Sequence, residues 1–351
     1  MSLVVSRAPF RVSFAGGGTD LSAFYQMGRG AVFSTTIDKY VYIIINRRNL
    51  LFKHGIRFSQ SALGHLKESE ASSDPFQYPI RVSYSSTENV SSIDELQHPI
   101  VREALRLLNI DTPMDISTMA DVPAGTGLGS SSTFAVALLH ALHAFKGEHV
   151  TPDQLAAEAA HIEIDVLGRP IGKQDHYAAA FGGLNLFCFF PNGEVKVDPV
   201  GSPNLIERHL FPYLMLLFTG VCRNASSILS EQKDNTVHRH EDLAAMRDHA
   251  FHLDSLVRNG FNPTDFGRIL HESWLRKRTL ASGITNSRID QYYEVARQKG
   301  ALGGKICGAG GGGFLLLVVA PEKRRSIREA LADLSELEFR FGESGSEVLI
   351  Q

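Results

Sequence analysis

The chain has 351 residues, 43% hydrophobic and 21% charged, which suits a globular protein of two ordinary domains. Its net charge of −3 gives no basic excess, so neither a nucleic-acid nor a membrane partner is expected. The three cysteines form no CxxC pair, residues 1–15 lack a signal-peptide pattern and no apolar run is long enough to span a bilayer, so we expect a cytoplasmic protein without disulfides.

The N-terminal segments predict strands and glycine turns. "SLVVSRAPFRVSFAGGGTD" is typical of two strands around Pro9 followed by a turn, and "AVFSTTIDKYVYIIINRR" has the β-branched and aromatic residues of a strand. Residues 57–97 are rich in Ser, Glu and Asp and predict exposed connections around one strand near 80–84. A helix over 99–108 and a strand in "MDISTMADVP" are predicted next.

A capped helix is predicted from residue 151. Thr151 suits the N-cap, Pro152 the first helical position, and Gln154 completes a Thr-x-x-Gln capping box. Gly168 suits the C-terminal end of this helix.

The stretch "FPNGEVKVDPVGSPN" at 190–204 is rich in Pro, Gly and Asn and predicts a domain boundary. The first domain then covers 1–200 and the second 205–351. In the second, a strand near 213–219, helices to about residue 299, the strands "GKICG" and "FLLLVVA", a helix and a last strand "EVLI" predict an α+β sandwich with an antiparallel sheet.

The segment "PAGTGLGSSS", residues 123–132, has the composition of a loop that binds an anion. Its glycines let the backbone approach closely, and the apolar helix behind it directs free N–H groups at the same point. It lacks the lysine of a Walker A loop and the third glycine of a dinucleotide fingerprint. The alternative is a glycine turn with an N-cap, but a buried first helical turn requires partners such as phosphate oxygens.

A second glycine run, "GAGGGG" at 308–313, matches the G-x-G-x-x-G pattern of a dinucleotide-binding loop, but its context does not. The segment after it predicts a strand, whereas a dinucleotide site needs a helix there. A wide glycine hairpin and a backbone surface for a closely packed ligand both remain open.

Taken in order, "APFRVSFAGGGTDL", "PAGTGLGSSS" and "GGKICGAGGGGF" resemble the three motifs of the GHMP small-molecule kinases, and the resemblance covers nearly the whole chain. It implies a two-domain α+β fold. The N-terminal domain would contain a left-handed βαβ unit, against the usual hand, and the C-terminal domain would be a ferredoxin-like sandwich.

The resemblance also implies ATP and Mg²⁺ as cofactors. Mg²⁺ would be held by Ser131 and Glu163, although a solvated helix glutamate is the alternative for Glu163. The triphosphate would lie against the loop formed by Pro123, Ala124, Gly125, Thr126, Gly127, Leu128, Gly129, Ser130, Ser131 and Ser132.

Two residues are implied to be catalytic. Asp175, in "GRPIGKQDHYAAAFGG", aligns with the aspartate that accepts or orients the proton of the attacking hydroxyl, and it could also be the N-cap of "HYAAAF". Arg11 aligns with a basic residue that pairs with this aspartate or with the transferred phosphoryl group. Such a set suffices for phosphoryl transfer, which depends on alignment and charge neutralisation.

Asp20 aligns with an aspartate that binds sugar hydroxyls, an Asx-turn residue being the alternative. Cations that could bind a phosphate already on the substrate are also present, though each could be a solvated surface charge. The predicted substrate-binding residues are Gly17, Gly18, Thr19, Asp20, Gly182, Gly183, Gly310 and Gly311, with the cations Arg29, Lys173, Arg223 and Lys277 and with Arg169 in reserve.

Within the superfamily, the chain most resembles sugar 1-kinases of the D-glycero-D-manno-heptose 7-phosphate kinase type, with fucokinase domains nearby. The partner implied is a small-molecule sugar phosphate, and a homodimer is one option for assembly. A kinase of an unphosphorylated sugar such as fucose or mannose is an alternative. So is a non-catalytic sensor of sugar and ATP, which would be free to lose Asp175, Arg11 and Glu163.

Overall fold

The computed structural model describes residues 3–48, 78–222 and 226–351. The predicted connections over 57–77 and the predicted substrate cation Arg223 lie outside these residues. Within them, no helix combines the length and the apolar character that a bilayer crossing requires.

The first domain is built on an eight-stranded sheet in the described part of the chain. Its core order is β12-β1-β2-β5-β3-β4, while β6 pairs with the first half of β2 and also with β7. The strands are β1 (Leu3–Ala15), β2 (Gly30–Arg47), β3 (Ile80–Ser83), β4 (Thr87–Val90), β5 (Met114–Ala120), β6 (Leu184–Phe189), β7 (Val195–Pro199) and β12 (Glu347–Ile350).

Helices pack against this sheet. The helices of the first domain are α1 (Ser22–Tyr25), α2 (Pro99–Leu107), α3 (Ser130–Lys146), α4 (Pro152–Ala160) and α5 (Gln174–Phe181). α3 packs on β1 and β2 and is buried over most of its length, because its sequence is apolar all round. As predicted, Thr151 caps α4, its hydroxyl accepting from the Gln154 amide at 3.2 Å.

A parallel crossover connects β3 and β5, which are neighbours in the sheet, with α2 in the connection. Among the described residues, β3 and β5 are the only strands that pair in parallel. All other pairings there are antiparallel. The left hand expected for a βαβ unit here stays a prediction.

The second domain contains a four-stranded antiparallel sheet in the order β11-β8-β10-β9, as a ferredoxin-like sandwich requires. Its strands are β8 (Leu214–Phe218), β9 (Ala301–Ile306), β10 (Phe314–Val319) and β11 (Ser335–Leu337). Its helices are α6 (Pro203–His209), α7 (Ser226–Asp234), α8 (His240–Asn259), α9 (Pro263–Lys277), α10 (Ser287–Gln298) and α11 (Arg324–Ala330). The α+β class is therefore confirmed.

The end of the chain departs from the predicted arrangement. The strand "EVLI" was expected with the second domain, but β12 pairs with β1 in the first sheet. Two further contacts hold the chain end against the first domain. They are an isolated bridge between Ile37 and Phe341 and an ion pair of 2.8 Å between Arg7 and Glu347. Because β1 would otherwise expose an unpaired edge, the returning strand satisfies its backbone groups. The boundary between 200 and 205 itself stays a prediction.

A buried histidine ties α3 to α4. The ring of His143 is 3% exposed, with Nδ1 2.8 Å from Glu148 and Nε2 2.8 Å from Glu158. The hydrogen bonds to Glu158 and Glu148 outweigh burial and raise the pKa of His143 above its usual value. Because both ring nitrogens contact carboxylates, this histidine has a structural role in linking the two helices.

We expect His143→Gln to lower the free energy of unfolding by about 1 kcal/mol more at about pH 6 than at about pH 9. A raised pKa in the folded state stabilises the protein below the unfolded pKa, and this contribution is lost as pH rises through the folded value. Urea unfolding of both proteins at the two pH values measures it. His161→Gln, which removes an exposed pairing with Asp165, is the control. An equal loss at both pH values would contradict the charged pairing.

Candidate active site

A cavity of about 430 Å³ brings the three glycine motifs together with the predicted catalytic pair. Its walls come from β1 and the turn after it, the start of α3, the segment before α5, and α7, α9 and the β9–β10 turn. It is lined by Arg11, Ser13, Gly17, Gly18, Asp20, Leu21, Gly125, Gly127, Gly129, Ser130, Ser131, Ser132, Glu163, Arg169, Ile171, Gly172, Gln174, Asp175, Ser226, Leu229, Gln232, Lys277, Gly308 and Ala309.

The loop before α3 presents backbone N–H groups to this cavity. Gly125, Gly127 and Gly129 have φ values of 76°, 84° and 86°, a region that side chains other than glycine rarely adopt. Gly129 is the N-cap of α3 and offers no side-chain acceptor, so the first N–H groups of the helix lack a cap. The hydroxyl of Ser130 is buried without a hydrogen-bond partner in the described residues. An anion at this helix start would satisfy these donors.

The third glycine motif supports this loop directly. It forms the hairpin turn between β9 and β10, and the following segment is a strand, which confirms the rejection of a dinucleotide fingerprint. A Cβ on Gly127 would lie 2.6 Å from the carbonyl oxygen of Cys307, and a Cβ on Gly313 would lie 2.2 Å from that of Thr126. The two glycine stretches therefore have to be glycine because their backbones touch.

Arg11 and Asp175 form a bidentate pair at the loop. Arg11 Nε donates to Asp175 Oδ1 at 2.7 Å, Nη2 donates to Oδ2 at 2.6 Å, and Nη1 donates to the Gly127 carbonyl at 2.7 Å. A Cβ on Gly129 would lie 3.3 Å from Asp175 Oδ2, so the carboxylate stands at the start of α3. Since α5 begins at Gln174, Asp175 lies within its first turn and not at the N-cap.

Asp20 is buried beside this pair. Its Oδ1 accepts from the Gly18 amide at 2.9 Å and its Oδ2 accepts from the Gln174 amide at 3.2 Å. Burial and the nearby charge of Asp175 raise the pKa of Asp20 above its usual value. The contact with Gly18 is a local turn interaction, while the bond from Gln174 couples the first motif to the catalytic segment.

We expect Gly172→Ala to raise the KM for the acceptor about tenfold and to leave ATP affinity within about twofold. A Cβ at Gly172 would lie 2.0 Å from Asp20 Oδ2, so the carboxylate would have to move. Steady-state kinetics and nucleotide titration measure the two effects. Gly28→Ala is the control, because nothing lies within 4 Å of a Cβ at Gly28. An unchanged acceptor KM would show that Asp20 does not contact the acceptor.

Glu163 and Ser131 meet at the other side of the loop. Glu163 lies in a π-helical turn (His161–Val166) that follows α4, and π-turns are frequent at functional sites. Its carboxylate is fully buried, with His176 Nε2 at 2.9 Å, and it accepts short hydrogen bonds from Ser131 Oγ and Arg169 Nη1. Burial alone would raise the pKa of Glu163, but the bonds from His176 and Ser131 and the charge of Arg169 hold it at about 2.

This donor set suits a cation. An ionised carboxylate and a hydroxyl, both oxygen donors, converge on one point, as Mg²⁺ prefers. The guanidinium of Arg169 already contacts both groups, and its Nη1 donates to Ser131 Oγ at 2.6 Å. It therefore places a positive charge where a cation would bind. Burial excludes the alternative of a solvated helix residue for Glu163, and its role as a metal ligand stays a prediction.

Two of the predicted substrate cations line the cavity, Lys277 at the end of α9 and the reserve cation Arg169. Lys277 is 5% exposed, its Nζ donates to the Gly308 carbonyl, and burial lowers its pKa to about 8. Lys305 on β9 is also buried, and its Nζ donates to the Ser13 carbonyl at 2.7 Å, which joins the two domains.

Other predicted substrate residues contact the protein instead. Lys173 Nζ donates to the Gly193 carbonyl at 2.9 Å, and Arg29 stacks on the ring of Phe251 at 4.5 Å. Thr19 Oγ1 donates to the Gly16 carbonyl at 2.7 Å inside the first turn. None of the three side chains lines the cavity as far as the structure is described.

Two glycine pairs also lie away from the cavity lining. The Gly183 amide donates to the Gly342 carbonyl at 3.0 Å, and a Cβ on Gly182 would meet the backbone of residue 344. The Gly311 amide donates to the Ile284 carbonyl at 2.8 Å, and a Cβ on Gly310 would lie 2.6 Å from the same oxygen. These glycines allow close backbone packing around the site.

The structure adds residues that sequence reasoning did not select. Gly172 and Gln174 hold Asp20, and Gln232 of α7 lies against Gly18, where a Cβ would come within 2.2 Å of its Nε2. Arg169 reaches the Ser131–Glu163 pair instead of a substrate phosphate. Only the nearness of Gly172 and Gln174 to Asp175 in the sequence could have indicated them.

Comparison with known proteins agrees with this arrangement. Residues 99–183 match the GHMP kinases N terminal domain, and residues 254–336 match GHMP kinases C terminal. The chain is 29% identical over 340 residues to D-glycero-alpha-D-manno-heptose 7-phosphate kinase of Campylobacter jejuni, covering 94% of each protein. It is 24% identical to L-fucokinase/L-fucose-1-P guanylyltransferase of Bacteroides fragilis, over 88% of this chain and 34% of that longer protein.

Solved structures show the same fold. A D-glycero-D-manno-heptose 1-phosphate kinase of Bacteroides thetaiotaomicron superposes with a TM-score of 0.76 at 25% identity, covering 99% of both chains. Galactokinase of Lactococcus lactis in complex with galactose gives a TM-score of 0.71 at 16% identity, covering 98% of this chain and 95% of the other.

The fold and the cavity define a two-domain small-molecule phosphotransferase whose phosphate loop contains no lysine. The chain contains the N-terminal and C-terminal GHMP kinase domains. It is an ATP-dependent sugar kinase that transfers a phosphoryl group to an alcohol.

Proposed function

We propose that this kinase phosphorylates the anomeric hydroxyl of D-glycero-D-manno-heptose 7-phosphate to form the 1,7-bisphosphate, for nucleotide-activated heptose and surface polysaccharide. One observation carries the proposal. The Arg11–Asp175 pair stands between a loop of uncapped N–H groups and the buried Asp20, within a single cavity. A phosphoryl donor and a hydroxylated acceptor would therefore meet at Asp175.

In this mechanism the loop from Pro123 to Ser132 binds the triphosphate of ATP. Asp175 accepts or orients the proton of the attacking hydroxyl, and its rigid pairing with Arg11 keeps it aimed. Asp20 binds a neighbouring sugar hydroxyl. The anomeric hydroxyl is more acidic than an ordinary alcohol, so one carboxylate can suffice as the base.

Ser131 and Glu163 would hold the Mg²⁺ that accompanies the nucleotide. When bound, the ion would neutralise charge on the phosphate oxygens. The chain prepares this position by keeping Glu163 buried and ionised, with His176 fixing its second oxygen. Arg169 has to leave Ser131 and Glu163 before a metal ion can bind them, because its guanidinium contacts both.

A second candidate acceptor is an unphosphorylated sugar such as fucose or mannose. It is favoured because two cations predicted to bind a phosphate on the acceptor contact other parts of the protein. Lys173 donates to the Gly193 carbonyl, and Arg29 stacks on the ring of Phe251. Of the remaining predicted cations, Lys277 and Arg169 line the cavity, and Arg223 lies outside the described residues.

A panel of sugars and sugar 7- and 6-phosphates, assayed for ADP release, separates the two candidates. Phosphorus NMR of the product shows which oxygen has gained the phosphoryl group. We expect the heptose 7-phosphate to give the largest kcat/KM and the product to carry a new anomeric phosphate. Preference for a bare sugar would select the second candidate, and phosphorylation at a non-anomeric oxygen would reject the first.

A further inference from the structure

Lys277 is a buried cation that forms no ion pair with a carboxylate among the described residues. Its Nζ has three N–H donors, and the Gly308 carbonyl accepts one of them. Over 3–48, 78–222 and 226–351, no carboxylate lies within 4.0 Å of it and no second hydrogen bond is formed. Arg11 differs, because Asp175 neutralises it. A buried, unpaired ammonium on a cavity wall is satisfied by an anionic ligand.

The position of Lys277 indicates which anion it would meet. A Cβ on Gly308, whose carbonyl holds the ammonium, would lie 2.7 Å from the Cα of Gly127 in the phosphate loop. The carbonyl of the same Gly127 accepts from Arg11 at 2.7 Å. Lys277 and Arg11 are therefore anchored to adjoining backbone at one end of the cavity, where Asp175 also lies.

We propose that Lys277 donates a hydrogen bond to the phosphoryl group that is being transferred, and not to a phosphate that the acceptor already carries. This rests on the proposed function, which places the nucleotide at the loop. In the transfer, the acceptor oxygen forms a bond to the γ-phosphorus, the bond to the β,γ-bridging oxygen breaks, and its electron pair leaves with ADP. The hydroxyl proton goes to Asp175, while Lys277 keeps its protons and neutralises charge on the phosphoryl oxygens.

The surroundings make this ammonium sensitive to pH. Arg11 of β1, Asp20 of the following turn, Asp175 of α5 and the buried Lys305 and Cys307 at the end of β9 all act on it. Burial holds the pKa of Lys277 at about 8 in the free protein. Since kcat/KM reports groups of the free enzyme, its value for ATP should fall as pH rises through that range.

Lys277→Met tests the proposal, with Arg276→Met as the matched control because Arg276 is the preceding residue on α9 and pairs with Asp242 at the surface. We expect Lys277→Met to weaken ATP binding about tenfold and ADP binding less than about twofold. We expect kcat to fall about 100-fold, equally for phosphorylated and bare acceptors. The control should change neither quantity.

A rise in KM confined to phosphorylated acceptors, with unchanged ATP affinity and kcat, would overturn the proposal. Lys277→Arg keeps the charge, so it should retain more activity than the methionine variant and shift the alkaline fall of kcat/KM to higher pH. An unshifted pH profile would also overturn it, and this variant decides the question if Lys277→Met fails to fold. The nucleotide titrations need no acceptor, so they separate this proposal from a failure of the proposed function.

Discussion

Asp175→Asn is expected to lower kcat about 10³-fold while ATP affinity stays within about threefold of the wild type. The replacement preserves size but removes the charge that receives two hydrogen bonds from Arg11, at 2.7 and 2.6 Å. An amide would direct N–H donors at the guanidinium, so Arg11 would lose a partner and the acceptor hydroxyl would lose its base.

Single-turnover kinetics with saturating ATP, together with calorimetric ATP binding, measure the two quantities. Asp254→Asn is the control, since it breaks an arginine–aspartate pair of similar length, 2.7 Å to Arg258, on the surface of α8. Its kcat should match that of the wild type. Unchanged turnover in Asp175→Asn would remove this residue from the mechanism.

Glu163→Gln is expected to raise the Mg²⁺ concentration for half-maximal activity at least about tenfold. The variant keeps the shape of the side chain but removes a buried negative charge that contacts Ser131, Arg169 and His176. Removing one member of a buried ionic cluster also destabilises the fold, by about 3 kcal/mol or more.

Two measurements keep these effects apart. Calorimetric titration of Mg²⁺ into the ATP complex reports the affinity of the metal, and urea unfolding without ligands reports stability. Asp165→Asn is the control, because it lies two residues away with an exposed side chain that pairs with His161. A variant with lower stability but an unaltered Mg²⁺ titration would assign Glu163 a structural role alone.

Sequence reasoning succeeded where the chemistry is local. The cap at Thr151 depends on residues within one helical turn, and the rejection of a dinucleotide site at Gly308 depends on the strand that follows immediately. The pairing of Arg11 with Asp175 joins residues far apart in sequence. It followed from the resemblance to a family and not from spacing, and the structure places the two side chains 2.6 Å apart.

Other features depend on contacts that no local pattern reports. The chain end could pair with either sheet, and the unpaired edge of β1 decided it. Arg29 and Lys173 have the composition of phosphate-binding residues, yet the ring of Phe251 and the carbonyl of Gly193 engage them. A positive side chain is equally basic in both settings, so only its neighbours decide what it binds.

The sequence by itself determined an α+β chain with a lysine-free anion loop before an apolar helix, because backbone conformation and helix burial follow from nearby residues. The tertiary structure decided what surrounds that loop. It set the third glycine motif against Gly127, Arg169 against Glu163, and the buried ammonium of Lys277 against the Gly308 carbonyl. Charge and burial at these points arise from segments distant in the chain, and their effect exists only once those segments pack together.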